Sequence, residues 1–209
     1  RVSTLWIGRS SGWNPDSTTS EGEVSLTFAM TTTLPLHPAA PAAVGFVRQL
    51  STHGYSPALH TGTTTISYAA LAARVADSAS RWGQVGGGRR LVLIELTPDV
   101  DAIVDHLGAL LAGHAVIVAA PGRSGQIVDV HDPDSVGGHR DGRWSVTHRR
   151  IEAAHELHPD LALLLSTSGS TGSPKLVRLS HAAVDANTDD IVSGLGIRAS
   201  DVAATTLPL

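Results

Sequence analysis

A stretch of hydroxyl side chains and glycines follows an apolar run late in the chain, and it constrains the fold more than any other feature. The run Leu163–Leu165 predicts the end of a buried strand. Glycines let the backbone after it bend tightly. The freed N–H groups of such a turn form a concavity that suits an anion. We therefore expect a cradle for a polyphosphate, built from Thr167, Ser168, Gly169, Ser170, Thr171, Gly172 and Lys175.

The spacing of this segment differs from that of the common P-loop, Gly-x-x-x-x-Gly-Lys-Ser/Thr. Here Gly169 and Gly172 are three residues apart, and Pro174 precedes the lysine. The segment instead resembles the signature loop of the adenylate-forming superfamily, the AMP-dependent synthetases and ligases. That loop has the pattern Thr-Ser-Gly-Ser/Thr-Thr-Gly-x-Pro-Lys-Gly-Val, then Ser-His. This chain has Thr-Ser-Gly-Ser-Thr-Gly-Ser-Pro-Lys-Leu-Val at 167–177 and Ser-His at 180–181.

One position departs from the pattern, because Leu176 stands where the family usually has glycine. We expect this change to alter the motion of the loop but not the residues that face the phosphates. The alternative is a linker rich in serine and glycine. An ordered Pro-Lys pair and a flanking apolar strand argue against a linker.

The resemblance implies both a fold and a function. The fold would be α/β and would form the N-terminal part of the large adenylation domain. It would have a parallel-containing sheet with flanking helices, and the domain would be incomplete. The function would be ATP-dependent activation of a carboxylic acid as an acyl-adenylate, followed by transfer to CoA or a carrier-protein phosphopantetheine. ATP and Mg²⁺ would be used, with the magnesium ligand, the ribose ligand and the adenylation lysine downstream of this chain. No catalytic residue and no metal ligand is identifiable within it.

The composition excludes several classes of protein. The chain has 209 residues, of which 42% are hydrophobic, so a packed core is expected. A formal net charge of −4 provides no basic surface for nucleic acid. No apolar run is long enough to predict a membrane span. Because there is no cysteine, disulfides and cysteine-based zinc sites are excluded, which fits a cytoplasmic protein.

Two segments are predicted, with one boundary between residues 41 and 42. The hydrophobic residues within 1–41 show no sustained periodicity, so we expect a disordered or spurious extension. Met30 is a candidate for the functional start of the protein. Residues 42–209 would be the N-terminal portion of an AMP-binding (adenylation) domain, truncated inside a family motif that opens at Leu207. Such a piece is expected to be inactive alone. The alternative is a non-catalytic remnant or a subunit that binds a partner chain.

Hydrophobic periodicity predicts an alternation of strands and helices. A helix over 42–50 and a hairpin over 57–68 come first, followed by a helix over 68–82 with Ser67 as its N-cap. Strands over 90–96 and 114–120 flank a helix that begins at Thr97-Pro98, which predicts a parallel crossover. This part also resembles the family through Leu-Leu-Ala-Gly at 110–113 and Pro121.

The second half is predicted with more irregular structure. A strand over 126–131 and a polar loop over 133–142 precede a strand over 161–165. A strand over 176–179 forms a hairpin around the loop. A helix over 181–193, capped by Ser180 and ended by Gly194 and Gly196, precedes a last strand over 201–207.

Several other candidate sites carry weaker signals. The eleven histidines are scattered, and His155-Glu-Leu-His158 lacks the spacing of a His-Glu-x-x-His zinc site. Neither Ser166 nor Ser168 lies in the Gly-x-Ser-x-Gly pattern of a hydrolase. His181 is open to two roles, a first-turn helix residue or a support of the loop. For Asp99, Asp101 and Asp105 we expect a solvated helix face. For Arg81, Arg89 and Arg90 we expect a turn between a helix and a strand.

Overall fold

A six-stranded mixed sheet organises the computed structural model, which describes residues 44–62, 64–166 and 175–204. Two predictions fall outside these ranges, the extension over 1–41 and the residues from Thr167 to Gly172. The elements in chain order are α1 (Gly45–Gln49) with a 3₁₀ turn (Leu50–His53), β1 (Pro57–Thr61), β2 (Thr64–Ser67), α2 (Tyr68–Gly83), β3 (Leu91–Glu95), α3 (Val100–Leu111), β4 (Ala115–Ala119), α4 (Ser124–His131), β5 (Ser135–Arg140), β6 (Arg143–His148), β7 (Leu161–Ser166), β8 (Leu176–Ser180) and α5 (His181–Leu195).

The strand order in this sheet is β6-β5-β3-β4-β7-β8. The four inner strands are parallel, with registers such as Val92 opposite Val116 and Val116 opposite Leu163. An antiparallel hairpin closes each edge, β5–β6 on one side and β7–β8 on the other. The predicted α/β class, the parallel β3–α3–β4 unit and the hairpin around the loop are confirmed.

Strands β3 and β4 are buried on both faces, as their continuous apolar runs require. Val92, Ile94 and Val116 have no exposed surface and pack with α1, α2 and α3 on one face. Leu93 and Ile117 pack with α4 on the other. Each such side chain contributes about 1.5–3 kcal/mol through burial, so these two layers hold the sheet in place.

Side-chain caps set the start of three helices. Ser67 Oγ accepts a hydrogen bond from the Ala70 N–H, and Ser180 Oγ accepts one from the Ala183 N–H, which confirms both predicted caps. The predicted start of α3 is wrong. Asp99 is its cap, because its carboxylate accepts from the Ala102 N–H at 2.9 Å, and Thr97 and Pro98 precede the helix.

The predicted strand over 126–131 and the polar loop over 133–142 are both wrong. The first segment is α4, which turns Ile127 into the core. The second holds β5, which pairs with β3. The predicted polar loop includes Gly137, but Gly137 is a strand residue without room for a side chain. A Cβ atom there would lie 2.8 Å from Ile94 Cδ1 and 3.1 Å from Trp144 Cζ2.

The last predicted elements need smaller corrections. Gly194 lies inside α5, and Gly196 ends that helix with a left-handed backbone (φ 61°). Within the predicted strand over 201–207, residues 201–204 are not in a strand. Residues 205–207 lie outside the described ranges.

The interpretation of Asp105 as a solvated acid is wrong. Its side chain is 11% exposed and joins α3 to α2 and β6. Its carboxylate accepts hydrogen bonds from Ser78 Oγ, from Arg81 Nη2 at 3.2 Å and from Trp144 Nε1 at 2.7 Å. A buried carboxylate is stable when donors surround it in this way. Asp101, on the outer side of the same helix, pairs with Arg74 and keeps a side chain that is 62% exposed.

Replacing Asp105 with alanine should lower the free energy of unfolding by about 2–4 kcal/mol, because three donors lose their acceptor inside the protein. Urea unfolding followed by circular dichroism measures the change. Asp101→Ala is the matched control and should change stability by less than about 1 kcal/mol, as exposed pairs do. Equal, small effects of the two changes would contradict the role given to Asp105.

Buried histidines should make stability depend on pH. Burial lowers the pKa of His114 from 6.5 to about 4, and that of His106 likewise to about 4. The unfolded chain therefore binds more protons than the folded chain between these values. Stability is complete above about pH 6.5 and falls as the pH falls towards 4.

At pH 5, the shift of His114 should cost about 2 kcal/mol of stability relative to pH 7.5. Urea unfolding at both pH values tests this. His114→Gln should remove that part of the pH dependence, whereas His60→Gln, at an exposed histidine, should keep it. An unchanged slope in the His114 variant would show that other groups cause the effect.

Candidate functional site

The β7–β8 hairpin places the two ends of the predicted phosphate loop next to each other. Ser166, the last residue of β7, pairs with Leu176, the first residue of β8. Lys175 is exposed and directly precedes β8. Of the predicted ligand residues, only Lys175 lies within the described ranges. The pairing of Ser166 with Leu176 holds Lys175 beside the end of β7.

The loop follows β7 at the carboxyl edge of the parallel strands. In sheets of this type, ligands bind outside this edge. Helices α3 and α4 follow β3 and β4 and so begin at the same edge, where the helix dipoles place partial positive charge. Glu95, at the end of β3, already accepts a hydrogen bond from the Ser124 N–H of α4 at 3.4 Å.

Arg89 fixes the opposite end of the hairpin. Its Nε donates to Gly113 O at 2.6 Å, and its two terminal nitrogens donate to the carbonyl oxygens of His158 and Leu161. Burial lowers the pKa of Arg89 from its ordinary value, and the charge of Asp160 opposes that shift. This arginine therefore joins the start of β7 to the turn before β4. The interpretation of Arg89 as a simple turn residue missed this role, because nothing in its local sequence marks it.

Arg90 also exceeds its predicted role as a turn residue. Its side chain is fully buried and donates to Val85 O at 2.8 Å, to Arg150 O at 3.1 Å and to Ile151 O. Three carbonyl acceptors satisfy the guanidinium inside the protein. The connection between β6 and β7 is thereby held against the sheet.

His181 lies at the base of the β7–β8 hairpin, as the first residue of α5. It is 5% exposed, and its backbone N–H donates to Asp160 O at 3.0 Å. Burial lowers its pKa, and Arg89 lowers it further. The five residues of β8 separate it from Lys175, about 17 Å at about 3.4 Å per residue. Of the two roles left open, the structure supports the first-turn helix residue.

Asp185 ties α5 to the first helix. Its carboxylate accepts from the Gly45 N–H at 2.9 and 3.2 Å, so it caps α1 from a distant part of the chain. A Cβ atom at Gly45 would lie 3.2 Å from this carboxylate, which leaves little room for a side chain. Neither residue was identified from the sequence, since a cap contributed by another element leaves no local pattern.

Residues 44–62, 64–166 and 175–204 contain no group of three or more histidine, aspartate or glutamate side chains that could hold a metal ion. No helix within them has the length and apolar character needed to cross a membrane.

Comparison with known sequences finds adenylate-forming enzymes. The L-proline–[L-prolyl-carrier protein] ligase of Streptomyces coelicolor is 34% identical, over 60% of this chain and 26% of the ligase. The fumosorinone synthetase of Cordyceps fumosorosea is 35% identical, over 60% of this chain and 4% of the synthetase. The chain thus spans about a quarter or less of the length of these relatives. No protein-family profile matches it.

Comparison with solved structures supports the same fold. ATP-bound MatB from Rhodopseudomonas palustris matches with a TM-score of 0.55 over 73% of this chain and 38% of MatB. The sequence identity is 21%, so this likeness shows the fold alone. The predicted resemblance to the adenylate-forming enzymes is confirmed over part of the chain, and the mixed sheet with flanking helices is a fold shared with MatB.

Arg89→Met should loosen the hairpin that carries the loop. Three carbonyl oxygens lose a charged donor, so amide hydrogen exchange in β7 and β8 should become at least tenfold faster, corresponding to about 1.4 kcal/mol or more of lost local stability. Exchange in β3 and β4 serves as the internal reference. Arg74→Met, at an exposed pair, is the matched control. Unchanged exchange in β7 would contradict the anchoring role.

Proposed function

We propose that residues 42–209 are the N-terminal portion of an adenylation domain, in an enzyme that uses ATP to activate a carboxylic acid as an acyl-adenylate. The acyl group then passes to a thiol, that of CoA or of a carrier-protein phosphopantetheine. One observation carries the proposal. The segment with the signature sequence joins two paired strands at the carboxyl edge of a parallel sheet, with Lys175 at its exit.

The chemistry accounts for the residue types in this segment. A carboxylate oxygen attacks the α-phosphorus of ATP, and the bond from that phosphorus to the bridging oxygen breaks to release pyrophosphate. Negative charge therefore grows on the leaving β- and γ-phosphates, where preorganised donors stabilise it. The proposed donors are the lysine ammonium group, the hydroxyl groups and the backbone N–H groups of Thr167, Ser168, Gly169, Ser170, Thr171, Gly172 and Lys175.

The known relatives support this class of reaction. The Streptomyces coelicolor relative is by name a ligase for L-proline and a carrier protein, which favours a carrier thiol as the acceptor. MatB was crystallised with ATP bound, which favours ATP as the nucleotide. Both observations bear on the whole enzyme, of which this chain would supply the phosphate loop and the sheet that positions it.

Magnesium usually accompanies ATP in such reactions. The described residues do not fit a magnesium site, because they include no cluster of three or more acidic or histidine side chains of suitable geometry. Lys175 is a hydrogen-bond donor and carries a positive charge, so it cannot bind a cation. We therefore assign no step to a metal held by the described part of the chain.

A second candidate function is binding of a partner chain without catalysis. The second half of α5 favours it, because apolar side chains there are exposed to solvent. The two candidates differ in whether Lys175 is needed for ATP binding.

Lys175→Ala should weaken ATP binding to the 209-residue chain by about ten- to a hundredfold. A charge-assisted hydrogen bond contributes roughly 1.5–3 kcal/mol, and about 1.4 kcal/mol corresponds to a factor of ten. Isothermal titration calorimetry with ATP and with inorganic tripolyphosphate measures the loss. Both ligands should lose the same factor, because the lysine is proposed to contact only the phosphates.

Arg178→Ala is the matched control for this experiment, since Arg178 is an exposed cation in β8, three residues after Lys175. It should leave the affinity within about twofold, as expected for screened surface charge. Equal losses of affinity in both variants would show that general electrostatic attraction causes the effect, and not a contact between Lys175 and the phosphates. Wild-type affinity in the Lys175 variant would leave the phosphate-binding role without support.

The 209-residue chain alone should catalyse no carboxylate-dependent exchange of pyrophosphate into ATP. The site proposed here consists of phosphate-binding groups, and it includes no side chain proposed to bind the acid or the ribose. Radiolabelled pyrophosphate exchange with panels of amino, fatty and aryl acids tests this. Sustained exchange by the purified chain would show that it contains a complete active site.

A further inference from the structure

Strand β6 forms one side of the six-stranded sheet, and among the described residues it pairs with β5 alone. A two-residue turn, Asp141-Gly142, joins the two strands. Its φ angles of 51° and 74° are those of a type I′ hairpin. The residues that flank such a turn, here Arg140 and Arg143, form a hydrogen-bonded pair. From that pair onward, hydrogen-bonded and non-hydrogen-bonded pairs alternate along the ladder.

This alternation determines which backbone groups of β6 face outward. Every second residue bonds to β5, beginning at Arg143, and the series continues beyond the strand, where the Arg149 N–H donates to Asp134 O at 2.9 Å. The residues between them direct their N–H and C=O groups away from β5: Trp144, Val146 and His148. We call these outward groups the β6 edge. No backbone group of the described residues bonds to them.

The β6 edge lacks the features that keep exposed strands from pairing. Such strands are usually short, bulged or interrupted by proline, or they carry lysine. The pairs between β5 and β6 run without a register shift, and β6 contains neither proline nor lysine. Its one arginine, Arg143, is its first residue. At the opposite side of the sheet, the β7–β8 ladder has a register shift between Leu161 and Leu163. β6 is therefore a regular strand to which a further strand can be added.

The face of β6 towards α2 has room for the side chains of an added strand. A cavity of about 330 Å³ lies there, and residues that line it include Arg81 and Trp82 of α2 and Trp144 and Val146 of β6. Trp144 and Val146 are half-buried and pack against the main core. Every second side chain of an added strand would point to this same face. The β6 edge thus offers unpaired backbone groups together with apolar contact.

Charge determines how two copies of β6 would fit together. Antiparallel strands related by a two-fold axis can meet with Val146 or with Ser145 on the axis. With Val146 there, Arg143 of each copy would lie opposite Arg149 of the other, and like charges in that position are destabilising. With Ser145 there, Asp141 approaches Arg149 instead and forms an attractive pair. The second arrangement therefore complements its own charges.

The other contacts of this arrangement are also complementary. Trp144 would lie opposite Val146 of the second copy, an aromatic–β-branched pair of the kind that stabilises sheets. The Ser145 hydroxyl group, which has no hydrogen-bond partner among the described residues, would lie opposite the same hydroxyl group. Arg143 would lie opposite Thr147, which is exposed and uncharged. One strand thus supplies both sides of the contact, which favours a second copy over an unrelated chain.

We propose that two copies of this chain dimerise through the β6 edge, antiparallel and with Ser145 on the two-fold axis. The two sheets would then form one continuous sheet. Trp144 of each copy would exchange backbone hydrogen bonds with Val146 of the other. The inference goes beyond the proposed function and does not depend on it, because the β7–β8 hairpin lies at the opposite side of the sheet.

Analytical ultracentrifugation of the full 209-residue chain should show an equilibrium between monomer and dimer. Hydrogen exchange at increasing concentration locates the contact. The amides of Trp144, Val146 and His148 should exchange at least tenfold more slowly in the dimer than in the dilute chain. Slow exchange of these amides in the monomer would show that another part of the chain already covers the β6 edge, and would overturn the proposal. A chain that stays monomeric at millimolar concentration would also overturn it.

Charge variants at Thr147 test the register. Thr147 is exposed, so its variants should keep the fold of the monomer. Thr147→Glu would face Arg143 of the second copy and should tighten the dimer at least threefold, whereas Thr147→Arg should weaken it at least threefold. Thr64, exposed in β2, provides the matched controls. Thr64→Glu and Thr64→Arg should leave dimerisation within about twofold, as expected for screened charge. Effects of the same sign from both Thr147 variants would overturn the pairing.

Single cysteines locate the axis, because the chain itself has no cysteine. Ser145→Cys should form an intermolecular disulfide on mild oxidation, since a non-hydrogen-bonded pair brings its Cα atoms to about 4.5 Å, within the span of a disulfide. Thr147→Cys should stay uncrosslinked under the same conditions, because its two copies would be roughly 14 Å apart along the strands. Non-reducing electrophoresis measures both. Crosslinking of Thr147→Cys as fast as that of Ser145→Cys would overturn the proposal.

Discussion

The parallel pairing of β7 with β4 is the interaction on which the rest of the structure depends. It joins Val116 to Leu163 and Val118 to Leu165, and so brings the strand before the predicted phosphate loop beside a buried inner strand. Because parallel strands end at the same edge, β7 ends where α3 and α4 begin. Without this pairing, the hairpin β7–β8 would have no fixed relation to the sheet, and Lys175 would have no fixed position.

Two buried polar residues hold the long connection that makes the pairing feasible. The chain between β6 and β7 has no regular helix or strand, yet it crosses the end of the sheet. Arg90 donates to carbonyl oxygens within it. Asp134, which has no exposed surface, accepts from the Leu91 N–H and from the Ala154 N–H, both at 2.9 Å. Hydrogen bonds to charged groups contribute about 1.5–3 kcal/mol each, so a few side chains replace the missing regular structure.

Strong periodicity and local capping made much of the fold predictable from the sequence. The inner strands β3, β4 and β7 have continuous apolar runs, and the serine caps of α2 and α5 act within three residues. The errors arose where distant contacts decide the structure. Gly137 fits its position in the strand because Ile94 and Trp144 leave no space there for a side chain. Asp105 is buried because donors arrive from α2 and β6. Neither cause is visible in the neighbouring residues.

The candidate site was likewise predictable from the sequence only in part. Its residue types and order were readable from the segment 167–175, while its place at the carboxyl edge required the sheet. NMR chemical-shift mapping of the 209-residue chain with ATP, AMP and adenosine tests the central claim most directly. We predict perturbations that require the triphosphate and centre on residues 166–176. Equal perturbations with adenosine, or perturbations centred away from this segment, would contradict the assignment of the hairpin as a phosphate-binding site.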